Sequence, residues 1–435
     1  MKRGKRCMSN TKRVVRFVGV VLFIVAVMLP GQTASAGDKT VLRFVNWASA
    51  EAVTRETINT VIQKFEKQNP DITVENIAIP FGQIRTQIIT MTAGGNAPEI
   101  MQMSGNLPFE LAAMGALADL SQFASQEYLA DVWEGPLKAS MSGEKLISVP
   151  WAVTPFGFWY NKELMKKAGI DAPPTTWEDF EKALDMVKET YAGQGIDAFE
   201  LFTAKAGYGV VHNWSLMWAF GAFPLEDGKA GFNTPEMKKY FTWLRKMLKE
   251  EYTTGGFKLR EFREELAKGR LVFGFDGPYV QGMVKSLNAE ITDENLNDIY
   301  GVAAPPVGVT GKPLVALDFH CLGMSEQTTD KEAAWKFIEF LTSSDVVIEQ
   351  YLLPMGAILP LKSSVEKYAD AFGTPINKAF IEQVLPATRG IPYGPRWGQA
   401  AQFILNALQK VCFTDESIEQ IAADVDKNVS VIYGW

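Results

Sequence analysis

One stretch restricts this chain more than any other, the run Val149–Phe180, VPWAVTPFGFWYNKELMKKAGIDAPPTTWEDF. Trp151 to Tyr160 is aromatic and β-favouring, yet Pro150 and Pro155 stand at its entrance. Proline has no backbone N–H to give to a sheet, so neither position suits a central strand. Extended backbone with prolines at its mouth predicts a chain crossing from one folded body to another. Beyond it, Asn161–Ala168 reads as a short helix stopped by Gly169, and PPTTW reads as a helix start. Thr175 with Glu178, or Thr176 with Asp179, is spaced for an N-cap bonding back to the first turn. Trp177, Phe180, Leu184 and Val187 then recur at helical spacing and predict one buried face.

The chain before this stretch alternates in a regular way. Thr40–Asn46 reads as a strand, and the loop Trp47–Glu51 leads to a helix with Ile58, Val61, Ile62 and Phe65 on one face. Ile72–Ile79 is a second strand, followed by a helix bearing Ile84, Ile88 and Ile89 and stopped at Gly94-Gly95. Pro98–Met103 is a third strand, with a loop at Ser104–Asn106. Strand, helix, strand, helix, strand at this rhythm is parallel α/β architecture. Open sheets of that kind bind ligands at the carboxyl ends of their strands. Trp47, Glu51, Ser104 and Asn106 are candidates on that ground.

A second body begins near Pro155. It holds an aromatic segment, Gly207–Phe223, with His212, Asn213 and Trp214, and a strand Leu271–Phe275 that gives way to Asp276-Gly277-Pro278-Tyr279. Pro305-Pro306 marks a second crossing, after which Leu314–Met324 returns to the first body. Thr329 and Glu332 are spaced as a capping box. Gly356 and Pro360 bracket a third crossing, and the C-terminal helices pack on the second body. The expected segments are 1–36, 37–150, 151–305, 306–356 and 357–435, a two-lobed α/β fold in which each lobe is a sheet flanked by helices.

Residues 1–36 stand apart. Seven basic residues precede an uncharged apolar run, Phe17–Leu29, and Ala34-Ser35-Ala36 fits a small-x-small cleavage site, so the segment reads as a secretory signal peptide cut after Ala36. The run is shorter than the roughly 20 residues of a membrane-spanning helix. Those 36 residues carry 7 of the 43 basic side chains and none of the 50 acidic ones, which leaves the remainder at −14. A surface that acidic repels nucleic acid and anionic lipid. Cys321 and Cys412 remain, read as two buried thiols rather than a disulfide.

Most catalytic chemistry finds no residues here. Two histidines, His212 and His320, exclude a histidine-rich metal site, and no paired CxxC, HExxH, GxSxG or phosphate loop occurs. A glycosidase needs only two carboxylates, and 50 acidic residues leave that class open. What stands out is aromatic residues in loops, whose broad faces suit the C–H faces of sugar rings. A few polar groups placed beside them would complete a pocket. Trp177, Trp243 and Trp335 lie on helix faces and read as core, and Trp159 as packing. Trp47, Trp151, Tyr279 and Trp397 read as ligand contacts. His320 reads equally as a buried histidine or a contact, and Asp318 beside it is costly to bury without a partner.

Three motifs carry a family likeness: Ala152-Val153, Tyr160-Asn161-Lys162, and Pro174-Thr175-Thr176-Trp177-Glu178. They resemble the first interlobe crossing of the extracellular solute-binding proteins that feed ABC importers, in the sugar-binding, maltose-binding-protein-like branch, and the likeness extends over residues 37 to about 432. The resemblance implies two α/β lobes gripping a ligand between them, without catalysis or cofactor, and delivery to membrane permease subunits. It implies a periplasmic monomer that binds no nucleic acid. Trp47–Glu51 matches the family's first-strand loop and Ser104–Asn106 its third-strand loop, which here lacks the family's Trp and Asp. Tyr279 after Gly-Pro matches a stacking aromatic, with Asp276 just ahead of it. Trp397 matches a second stacking aromatic, with Arg396 adjacent. Thr154 stands where the maltose binder has a carboxylate, and His212–Trp214 would line the second lobe's side. Other solutes, such as a glycerol phosphodiester, a polyamine or a metal complex, form the alternative. A phosphate would call on Arg389 and Arg396. A secreted glycoside hydrolase is the remaining reading.

Overall fold

Two separate sheets organise the chain. The computed structural model describes residues 39–435 except 52–53, 206, 227 and 257–258; the segment read as a signal peptide lies outside the described residues. The first sheet is built on β1 (Thr40–Asn46), β2 (Ile72–Ala78) and β3 (Ile100–Ser104). β1 lies between the other two and runs parallel to both. The strand Phe319–Met324 then pairs antiparallel with β3, and Val149–Val153 closes the far edge. Pro150 is tolerated there because an edge strand has a side that pairs with nothing. Helix α1 (Arg55–Gln68) buries Ile58, Val61, Ile62 and Phe65, the stripe its spacing predicts. Helix α2 (Phe81–Ala93) buries Ile84 and Ile88, and α3 (Leu107–Ala113) follows β3 directly.

The second sheet has the order Tyr300–Ala303, Gly157–Asn161, Leu271–Asp276, Asp197–Phe199. Gly157–Asn161 runs antiparallel to both neighbours and places Trp159 between Val302 and Gly274, fully buried. Phe158, Phe180, Phe199 and Phe273 pack edge-to-face and stacked at 5.2–6.0 Å between ring centroids. The helix Trp177–Thr190 covers this cluster. Its N-cap is Thr176, whose hydroxyl accepts from Asp179 N at 3.2 Å; such a cap stabilises by about 1 kcal/mol.

The chain passes between the two sheets at three places. Trp151–Val153 belong to the first sheet, so the first passage is residues 154–156. Val315, Ala316 and Leu317 pack in the second core, and Val315–Ala316 pairs with Thr388–Arg389, so the return to the first lobe comes with Phe319 rather than at 306. The third passage comes after Phe372: Ala357, Leu359, Leu361 and Phe372 share a core with Phe44 and Trp335. Gly356, at φ 72°, only ends a helix, and Ile358 then exchanges both backbone hydrogen bonds with Val153. The capping box at Thr329 is also displaced, since Asp330 caps the helix Lys331–Ser343 by accepting from Ala333 N.

The helices Trp397–Phe413 and Ile418–Tyr433 complete the second core. Cys321 and Cys412 are both buried free thiols. Among the described residues no helix is long and apolar enough to cross a membrane.

Candidate functional site

At the carboxyl end of β1 the backbone must turn out of the sheet, and Gln102 on β3 secures the turn. Its Oε1 accepts from Trp47 N at 3.0 Å and from Ala48 N at 3.2 Å. The Trp47 ring then lies edge-on to His320, centroids 4.9 Å apart, and edge-on to Phe81 at 5.2 Å. Only 6% of Trp47 is exposed, against 48% of Phe81. His320 stands opposite Ser104 on one neighbouring strand and Ala152 on the other. Burial disfavours the charged imidazole and lowers its pKa to about 4, so it is neutral at physiological pH. Thr154 lies in the first passage. Its N–H donates to Asp318 O at 2.9 Å, while its buried hydroxyl has no protein partner among the described residues. Asp318 itself is half-buried.

The two lobes meet beside this edge. Asn106 accepts from Gly394 N at 3.0 Å and donates to Glu110 at 2.9 Å. A Cβ on Gly105, which has φ +58°, would stand 3.7 Å from the Tyr393 hydroxyl. Tyr393 is edge-on to Trp397 at 4.9 Å, and Trp397 packs on Trp214 at 5.1 Å. Gly398 approaches the first lobe so closely that a Cβ there would be 2.8 Å from Glu110 Oε1 and 3.3 Å from Arg85 Nη2. Alongside this junction is a cavity of about 630 Å³ with Phe109, Lys138, Phe319, Ile391 and Tyr393 in its wall. None of the residues marked from the sequence lines it, although Gly105, Phe319 and Tyr393 are their immediate neighbours or packing partners.

The basic groups near this junction have partners of their own. Lys138 pairs with Glu134 and Arg389 with Glu226. Arg396 is exposed and donates to Ile432 O at 2.8 Å, at the end of the last helix.

Several other candidates are in the core. Trp151 is 0% exposed and stacks on Tyr351 at 4.9 Å, because it lies within the edge strand rather than on the crossing. His212, Asn213 and Trp214 are all buried on the helix Gly207–Ala219. His212 sits 4.1 Å from the Phe202 ring, and burial lowers its pKa to about 3. Asn213 donates to the carbonyls of Phe202 and Gly209 and accepts from the Tyr240 hydroxyl. Asp276 is 0% exposed, with its carboxylate held by Arg263 at 2.9 and 3.2 Å and by Gly277 N at 2.7 Å. The same guanidinium lies 4.6 Å from the ring centroid of Tyr279, which is half-buried. Glu51 is exposed, and its carbonyl accepts from Thr54 N and Arg55 N at the start of α1. Phe81, Phe319 and Tyr393 stand outside the candidates that the sequence marks. The strand-end rule applied to β2 would have found Phe81.

Comparison with known proteins agrees with this architecture. A Brucella abortus protein named only as a binding protein is 26% identical over 386 residues, 87% of this chain and 90% of its own. A Thermotoga lettingae ABC transporter solute-binding protein with bound α-D-tagatose matches with a TM-score of 0.77 at 23% identity, covering 91% of this chain and 99% of that one. UgpB from Mycobacterium tuberculosis, in complex with glycerophosphocholine, matches with a TM-score of 0.78 at 18% identity, covering 91% and 99%. Residues 51–348 match the sequence profile of the bacterial extracellular solute-binding proteins. With that profile covering most of the chain and two sheets joined by three passages, the protein belongs to the bacterial extracellular solute-binding family, the receptors of ABC importers.

Proposed function

We propose that the solute is a carbohydrate, taken up between the lobes and passed unaltered to a membrane permease. The observation that supports this most is an accessible aromatic ring on each side of the junction, exposed Phe81 backed by buried Trp47 on the first lobe and half-buried Tyr393 backed by buried Trp397 on the second. Flat rings suit the C–H faces of a sugar. Around them Ser104, Thr154, Asp318 and His320 offer hydroxyl, carboxylate and neutral imidazole groups, which suit sugar hydroxyls. The phosphodiester reading needs converging cations, but Lys138, Arg389 and Arg396 are already engaged by Glu134, Glu226 and the Ile432 carbonyl.

In this reading the lobes rock about the passages at 154–156, at Asp318 and after Phe372. A sugar touching both lobes favours the closed form by its differential affinity. Moving a population from almost wholly open to almost wholly closed takes about 5.5 kcal/mol. The receptor acts as an exported monomer, its leader removed after Ala36, with no catalytic step. Calorimetric titration with D-tagatose, maltose, maltotriose and glycerophosphocholine tests the class. Saccharide binding without product formation is expected. Binding of glycerophosphocholine alone would overturn the reading in favour of a phosphodiester receptor, and hydrolysis of the oligosaccharide would overturn it in favour of an enzyme.

A further inference from the structure

We propose that Phe81 is the first lobe's stacking surface for the solute, and that Trp47 supports that ring without itself meeting a sugar face. The inference rests on the carbohydrate reading above. Phe81 follows β2 just as Trp47 follows β1, and Ile79 N donates to Asn46 O at 3.0 Å, which brings the two strand ends together. Both residues therefore stand at the ligand-binding edge of the parallel strands. Their exposures are opposite. Trp47 is pinned edge-on between His320 and Phe81 and is 6% exposed, so little of its ring is left for a ligand. Phe81 leans on Trp47 with one side and leaves 48% of its surface in solvent.

The direction in which Phe81 faces follows from its helix. Residues four apart on a helix are surface neighbours, and Arg85, one turn after Phe81 on α2, reaches the point where a Gly398 side chain would begin. The face of α2 that carries Phe81 thus turns toward the start of the Trp397 helix across the junction. An apolar ring held in water at this position gains when a sugar face covers it. Aromatic pairs contribute about 0.5–1.5 kcal/mol beyond area burial, and loss of the whole ring also removes its buried area.

The experiment is calorimetric titration of Phe81→Ala, Phe81→Leu and Phe81→Trp with whichever of D-tagatose, maltose and maltotriose binds the natural chain most tightly. We expect Phe81→Ala and Phe81→Leu to weaken binding about tenfold or more, equivalent to about 1.4 kcal/mol, and Phe81→Trp to stay within about threefold. Thermal midpoints should hardly move, since the ring is half-exposed. Unchanged affinity in Phe81→Ala would overturn the proposal, as would a Phe81→Leu protein that binds as well as the natural chain, because leucine keeps apolar area without a flat face. Lost uptake in cells with retained affinity would make Phe81 a permease contact and also overturn it. If the natural chain binds none of the three sugars, the carbohydrate reading fails first.

Discussion

The two lobes answer the same sequence logic differently. In the first, residues at strand ends come to the junction: Trp47, Ser104, Asn106 and His320 all stand at one edge of the sheet. In the second, Asp276 and the His212–Trp214 run are taken into the core. The difference lies in strand direction. β1, β2 and β3 are all parallel, so their carboxyl ends and following loops share an edge. Gly157–Asn161, an interior strand of the second sheet, runs against both neighbours, and Gly157 at its amino end lies opposite Asp276 at the carboxyl end of the next strand. One edge there receives both kinds of end, as the first sheet's does only beyond β3, where Phe319–Met324 runs antiparallel and brings in His320. The carboxyl-end rule then no longer names the ligand residues, and packing decides what stays in view.

Asp276 offers the hardest test of this contrast. If it is a structural carboxylate, Arg263→Met leaves it buried without its guanidinium and held only by Gly277 N among the contacts described, and breaking a buried pair costs about 3–5 kcal/mol. The urea midpoint should fall steeply, with Arg263→Lys recovering part of the loss. A variant that kept its stability while losing affinity would return Asp276 to the ligand site and erase the difference between lobes.

The histidines sharpen it further. His212 has its pKa lowered to about 3 by burial, so the folded chain holds fewer protons there than the unfolded chain. Stability from this group is complete above the ordinary histidine pKa near 6.5 and is lost as pH falls from there toward about 3. For a fully buried imidazole this amounts to a few kcal/mol. His212→Phe should flatten the stability profile across that window. His320→Phe should flatten it less, and only from about 6.5 to about 4, because burial lowers the His320 pKa by a smaller amount. Equal effects would mean that the first-lobe edge is as closed to water as the second-lobe core. Chemical denaturation from pH 7 to pH 4 measures both.

These contrasts show how much could be read from residues alone. The strands, the α1 stripe and the Thr176 cap were legible because each is a local signal with a fixed period or offset. The Gly207–Ala219 helix was not recognised as one because it is apolar on all sides, and periodicity vanishes when every face is buried. Trp151 was misplaced by its prolines: Pro150 marks an edge strand as readily as a crossing, and only the pairing with Phe319–Met324 separates the two. The late third passage was hidden for a related reason, since the Val153–Ile358 bridge joins residues some two hundred positions apart. Candidate site residues at parallel strand ends were legible from topology. Tyr393 and Phe319 depend on how one lobe lies on the other, which no local pattern encodes.

The smallest effect bears on that lobe contact itself. Gly398 opens the space in which Glu110 and Arg85 of the first lobe lie against the second, and a Cβ would come within 2.8 Å of Glu110 Oε1. The obstructing atom is the end of a flexible side chain rather than backbone, so Gly398→Ala should fold normally. Its cost falls only where the lobes are together, because the contact crosses from one to the other. Crowding of this kind costs about 1 kcal/mol, which corresponds to roughly fivefold weaker binding. Removing the obstruction with Glu110→Ala should cancel most of that loss, so the double variant should bind better than the sum of the single changes allows. Additive losses would mean that solute is held with Gly398 and Glu110 apart, and that the lobes of the loaded receptor meet elsewhere than at Asn106 and Gly394.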